Sequence, residues 1–158
     1  MGELYPKLAE AIQQVHTGRF LPPEAIVMHP RRWAWITAAL DTATRPLVTP
    51  STGGTNAIAV FSRLAAGGQV GELQGLPVYT DPNVPTTLGG GTEDEIVVFR
   101  GSDMLLYEGP IRAEVFRDVG SSTLTIRFRL YSFVNFFAGR YPVGISELNG
   151  SGLAAPAF

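Results

Sequence analysis

The sequence predicts an α+β fold, and three observations predict it. Leu4, Leu8, Ile12 and Val15 recur at helical spacing near the start. A second helical stripe, Trp33, Ile36 and Leu40, follows a short apolar run that ends in His29-Pro30. The last third, from Tyr107 to Ile145, instead alternates with period two, so it makes long strands with one dry and one wet face.

Taken in order, the first helix carries Glu3, Lys7, Glu10 and Gln14 elsewhere on its wheel, and Gly18 is its expected stop. Arg19 to Glu24 is a proline-containing connection. Ala25 to Met28 reads as a buried strand. Pro30 suits the first position of the helix that runs from Arg31 to about Asp41. Thr42 to Thr55 is loop-rich, and Gly67, Gly68 and Gly71 mark further turns. Gln74 and Gly75 form a turn entering a short strand at Leu76 to Tyr79. Asp81 to Thr92 is irregular, with two prolines and the run Gly89-Gly90-Gly91. Glu95 to Phe99 and Met104 to Tyr107 are strands.

Two longer strands follow. In the first, Val115, Arg117 and Val119 alternate with Glu114, Phe116 and Asp118. In the second, Leu124, Ile126, Phe128 and Leu130 alternate with Thr125, Arg127 and Arg129. The small, apolar residues from Gly150 onward suggest a flexible tail at 151–158. There is no internal repeat.

Composition bounds the function. The chain has 158 residues, enough for a real core, with 45% hydrophobic and 16% charged residues, which fits large buried or mated surfaces. A formal net charge of -2 gives no sign of a nucleic-acid or polybasic membrane binder. The single lysine, Lys7, stands against eleven arginines. That skew fits crowded polar interfaces or, equally, a GC-rich coding sequence. With no cysteine, disulfides, thiolate metal sites and cysteine nucleophiles are excluded. No segment has the length and apolarity of a helical membrane span.

Catalytic and cofactor signals are weak. His16 and His29 are the only histidines, and a metal site would need carboxylates from distant segments, so surface and cap roles are expected instead. Ser51, Ser62 and Ser102 lack a nucleophile signature. The glycine run ending in Thr92 lacks the lysine of a phosphate loop. Glu93, Asp94 and Glu95 follow it and would repel phosphate, so they read as a solvated acidic rim. Trp33 and Trp35 cannot both face the core of a regular helix. No catalytic residue, metal or cofactor is expected. Arg112, Arg117, Arg127 and Arg129 lie beside Glu108, Glu114 and Asp118, a pattern of protein–protein salt bridges rather than nucleic-acid contacts. Arg112, Glu114, Arg117, Asp118, Arg127 and Arg129 are therefore candidate assembly-interface residues. Leu124, Ile126, Phe128 and Leu130 form an apolar row that needs a cover. The candidates are Leu4, Leu8 and Ile12 of the first helix, or another copy of the chain.

Three stretches together resemble the major capsid proteins of tailed bacteriophages with the HK97-type fold. The first is Ile26-Val27-Met28-His29-Pro30-Arg31-Arg32-Trp33, where histidine stands for the family's asparagine. The second is Leu73-Gln74-Gly75-Leu76-Pro77-Val78. The third is the closing run: Phe99-Arg100-Gly101, the alternating strands and Gly139-Arg140-Tyr141-Pro142. The resemblance covers roughly residues 24 to 148 and about the C-terminal half of a family member. Met1-Gly2 then reads as the artificial start of a shortened chain, or as that of a natural short homologue.

The resemblance implies a central axial domain at 1–106 and 140–150, with a mixed sheet and flanking helices. It implies peripheral-domain strands at 107–139. It also implies self-association into pentamers and hexamers of an icosahedral shell. Further partners would be other capsid or portal proteins and, through weak non-specific contact, packaged DNA, with no membrane. The location would be the virion, and the bacterial host cytoplasm during assembly. Some relatives cross-link through a lysine, an asparagine and a glutamate. Gly120 to Thr125 contains no asparagine and Arg127 to Arg129 are basic, so cross-linking is not implied. Two rivals stay open: an encapsulin-like compartment shell, and a small hydrolase or ligand-binding module using the glycine-rich loops.

Overall fold

The computed structural model describes residues 4–39, 68–116, 126–154 and 156. The chain divides into two compact units, Met1–Ser102 with Tyr141–Phe158, and Asp103–Arg140. The resemblance implies 107–139 for the second unit, a few residues inside these bounds.

The first unit is α+β. Helix α1 spans Leu4–Arg19 and buries Leu8, Ala11 and Val15 along one stripe. It runs through Gly18, the expected stop, and ends where Phe20 takes a left-handed φ of 58°. Strand β1 (Ala25–Met28) leads into α2 (Pro30–Ala38). His29 caps α2: its Nδ1 accepts from the Arg31 N–H at 3.1 Å, and Pro30 fills the first turn, where a missing N–H costs nothing.

Strands β2 (Gln69–Leu73), β3 (Leu76–Thr80), β4 (Ile96–Phe99) and β9 (Ile145–Leu148) complete a five-stranded mixed sheet in the order β2-β3-β1-β4-β9. β1 and β3 are parallel, and the other neighbours are antiparallel. The β2–β3 turn places Gln74 and Gly75 at φ 50° and 80°, the signature of a type I′ hairpin, whose twist matches that of the strands. Gln74 also donates from Nε2 to the Tyr5 carbonyl at 3.0 Å, tying the turn to α1.

The register sets Leu73, Val78, Ile26, Met28, Ile96 and Val98 on one face of this sheet. Leu8 and Ala11 of α1 and Ile36 of α2 join them in one core. Trp33 and Trp35 both pack at its margin, because Arg32 and Ile36 take the centre of the α2 stripe. Trp33 lies so close to Gly71 that a Cβ there would collide with the indole, which explains a glycine inside β2. The tail expectation needs correction. Ser151–Leu153 forms a 3-10 turn, Leu153 is buried in the core, and Ala154 bridges to Glu93. Leu153 supplies a large apolar side chain that the small residues around it obscured.

The second unit holds two two-stranded ribbons. β5 (Leu105–Glu108) pairs antiparallel with β8 (Val134–Phe137), and β6 (Arg112–Phe116) with β7 (Arg127–Tyr131). Between the ribbons, Gly109, Pro110 and Ile111 stand opposite Ser132 and Phe133, so one strand carries an extra residue. This is a bulge, and Pro110 has no N–H to continue a ladder there. The Gly109 N–H donates to the Phe133 carbonyl at 2.7 Å across the break.

Candidate assembly surface

The β6–β7 ribbon gathers four of the six interface candidates on one face. Register pairs Arg112 with Tyr131, Glu114 with Arg129 and Phe116 with Arg127. Arg112, Glu114, Arg127 and Arg129 therefore share a face, because side chains alternate along each strand. Arg117 and Asp118 lie outside the described residues, as do Leu40, Ser51, Ser62 and Leu124.

The closest partner of Glu114 is not an arginine. The Tyr131 hydroxyl donates to Glu114 Oε1 at 2.7 Å. That bond, with partial burial, holds the Tyr131 phenol above its ordinary 10.0, while Arg112 pulls the other way. The Arg129 guanidinium lies 5.1 Å from the centre of the Tyr131 ring. Among the described residues, no carboxylate lies within ion-pair distance of Arg127 or Arg129. Sequence reasoning missed Tyr131 because it ends the strand rather than standing in the charged alternation.

The opposite face of the ribbon carries Ala113, Val115, Phe128 and Leu130. Phe128 is 73% exposed and Leu130 72%. The α1 residues expected as its cover are committed within the first unit. Leu8 is spent on the sheet core of the first unit, and Leu4 and Ile12 pack against the same cluster. A two-stranded ribbon has no second layer of its own, so its apolar face stays in water.

The acidic segment after the glycine run behaves differently from a solvated rim. Asp94 is fully buried. Its Oδ1 accepts from Arg31 Nε at 2.7 Å and also contacts Arg31 Nη2, and its Oδ2 accepts from Arg32 Nε at 2.9 Å. Arg32, itself 1% exposed, donates from Nη2 to the carbonyls of Leu153 and Ala154 at 2.7 and 2.6 Å. The Asp94 N–H also donates to the Leu153 carbonyl, at 2.8 Å. A buried charge survives only when paired and hydrogen-bonded, and this clamp meets both conditions. It ties α2 to the segments around Asp94 and Leu153. At the neighbouring turn, Gly89 and Gly91 take φ of 57° and 95°, and a Cβ on Gly89 would strike the Glu93 carboxylate, so an anion is unwelcome there.

Among the described residues, no group of three or more His, Asp or Glu side chains is placed to hold a metal ion. His29 serves as a helix cap, and His16 lies in the last turn of α1.

No protein-family model matches the sequence, and no curated protein matches it. Among solved structures, the chain is similar to a protein of Mycobacterium phage Che8. The TM-score is 0.55, the identity 16%, and 90% of this chain is covered. The fold is shared with a phage protein. The chain spans 47% of that protein's length, about half of it.

Proposed function

We propose that this chain is a structural protein of a tailed-phage head, of the HK97-type capsid fold, and acts by self-association rather than catalysis. One observation carries the reading. The β6–β7 ribbon leaves Val115, Phe128 and Leu130 exposed on one face and sets Arg112, Glu114, Arg127 and Arg129 on the other, and the β5–β8 ribbon exposes Leu106, Val134 and Phe136. Removing a Phe or Leu side chain from water is worth about 1.5–3 kcal/mol when complete. A row of them left open is therefore a mating surface. The charged face supplies orientation: Arg127 and Arg129, without an ion-pair partner among the described residues, pair with carboxylates of a neighbouring copy, as the sequence pattern suggests. The fold shared with a phage protein is consistent with this reading. In this reading the charged candidates Arg112, Glu114, Arg117, Asp118, Arg127 and Arg129 mark subunit contacts, in rings that close into a shell.

The test is light scattering with electron microscopy on the purified protein, across protein and salt concentration. The expected result is a species larger than a monomer. Replacing Phe128 and Leu130 by serine should dissolve it while the circular dichroism stays unchanged, because both side chains are exposed. Arg129→Glu should weaken assembly more than folding. A wild-type chain that stays monomeric at every concentration overturns the reading for this chain.

A further inference from the structure

The edge of the five-stranded sheet at β9 bears on a different kind of contact, independent of the shell reading. β9 is the last strand of the sheet, and α1 packs over it and over β4. The phase of the β4–β9 ladder is fixed by the Arg100 N–H, which donates to the Gly144 carbonyl at 3.0 Å. In an antiparallel pair, alternate residues turn both backbone groups to the partner. Ser146 and Leu148, opposite Val98 and Ile96, therefore face β4. Ile145 and Glu147 turn theirs outward. The Ile145 N–H is taken by the Pro142 carbonyl. Among the described residues, no backbone bond takes the N–H or C=O of Glu147.

Beside this edge runs a groove of about 430 Å³. Leu4, Lys7, Ala11 and Gln14, one stripe of α1, form one wall, and Ser146 and Leu148 form the other. Ser146 Oγ donates to Gln14 Oε1 at 3.0 Å and joins the two walls. Lys7 is neutralised by Glu10 at 2.8 Å. Glu147 also borders the groove, but strand alternation puts its side chain on the other face from Ser146 and Leu148, on the same side as Glu95, and the two carboxylates repel: burial and the Glu147 charge both raise the Glu95 carboxyl above its ordinary 4.5. Among the described residues, no cation pairs with either.

We infer that β9 accepts an extended basic peptide as a sixth strand, with its backbone paired to Glu147. Its apolar side chains enter the groove under α1, and a lysine or arginine on its other face meets Glu147. Strand addition of this type draws affinity from backbone bonds and specificity from alternate side chains. Spacing supports the fit, since a new strand sits about 4.8 Å from β9, beside the groove that α1 and β9 line. A second copy of β9 is the weaker occupant. An antiparallel pair centred on Glu147 would set that carboxylate against its own counterpart.

The probe is a fluorescent, end-capped heptapeptide in which valine alternates with lysine, followed by anisotropy. Saturable binding is expected. Methylating the backbone nitrogens on the pairing edge should abolish it. Glu147→Lys, a change at an exposed side chain, should weaken binding by roughly tenfold, the scale of one lost charge pair. A peptide with glutamate in place of lysine should bind that variant and not the wild type. Three results overturn the inference: no saturation at millimolar peptide, equal binding of the methylated peptide, or self-association through β9 that excludes the peptide.

Discussion

Asp94→Ala is the most informative single change in the first unit. It removes a fully buried carboxylate that Arg31 and Arg32 share. Arg31 is 33% exposed by its side chain and can turn to water, whereas Arg32 is 2% exposed and cannot. The cost is therefore that of a buried guanidinium keeping only the Leu153 and Ala154 carbonyls. Breaking a buried pair from one side costs about 3–5 kcal/mol. For a chain of this size that is a fall in melting temperature of roughly 6–20 °C. Urea unfolding read by tryptophan fluorescence suits the question, because both tryptophans lie in α2 and the Arg32 guanidinium is 5.1 Å from the Trp35 ring centre. Arg32→Met alone should also destabilise, since it strands Asp94. The double variant should cost less than the sum of the two by about 1–3 kcal/mol, because no charge is left buried without its partner. If Asp94→Ala costs less than about 1 kcal/mol, or the two changes simply add, Asp94 is not the counter-charge that makes a buried Arg32 tolerable.

Two further outcomes can be checked on the same protein. Phe20 takes φ of 58° just after α1 and is 86% exposed, so Phe20→Gly should relieve left-handed strain at little packing cost, raising stability by about 0.5–1 kcal/mol in thermal unfolding. Glu95 has a raised carboxyl, so the folded state holds its proton to higher pH than the unfolded chain. That contribution is full below 4.5 and is lost as pH rises through the raised value. Glu147→Gln removes the repelling charge, so it should flatten that loss and leave the protein more stable at neutral pH. Identical stability–pH slopes in the two proteins would remove Glu147 as a cause.

Much of the fold was legible because period and punctuation agreed. The stripe Leu4, Leu8, Ile12 and Val15, of which Leu8 and Val15 are fully buried with Ala11 beside them, the His29-Pro30 cap and the apolar runs of β1 and β4 each carry a local signal that tertiary packing did not override. β2 was read as turns because Gly71 looks like a breaker. Its real reason, the Trp33 ring against its Cα, is a contact between distant segments. β9 is a four-residue strand with Ser146 and Glu147 inside it, too short for alternation to stand out. Asp94 was placed in solvent because Glu93 and Glu95 flank it and glycines precede it. Nothing local says that two arginines some sixty residues earlier close over it. On the ribbon, alternation puts Arg127 and Arg129 on one face of their strand, but the register that sets Arg112 and Glu114 beside them is not written in either strand alone. Alternation could not tell that α1 would be committed to the sheet core.

The second unit, Asp103–Arg140, interrupts the sheet unit in sequence, and this has a consequence for synthesis on the ribosome. Arg32 and the Leu153 carbonyl that it binds are 121 residues apart. At about 5–20 residues per second, Arg32 waits roughly 6–24 s for that partner. Until β9 and Leu153 emerge, β4 has an open edge and the buried guanidinium lacks part of its coordination. The nascent sheet therefore cannot close before the whole second unit has been made. Chain order itself then acts as a timer, holding back a finished sheet until the segment with the exposed apolar row is complete.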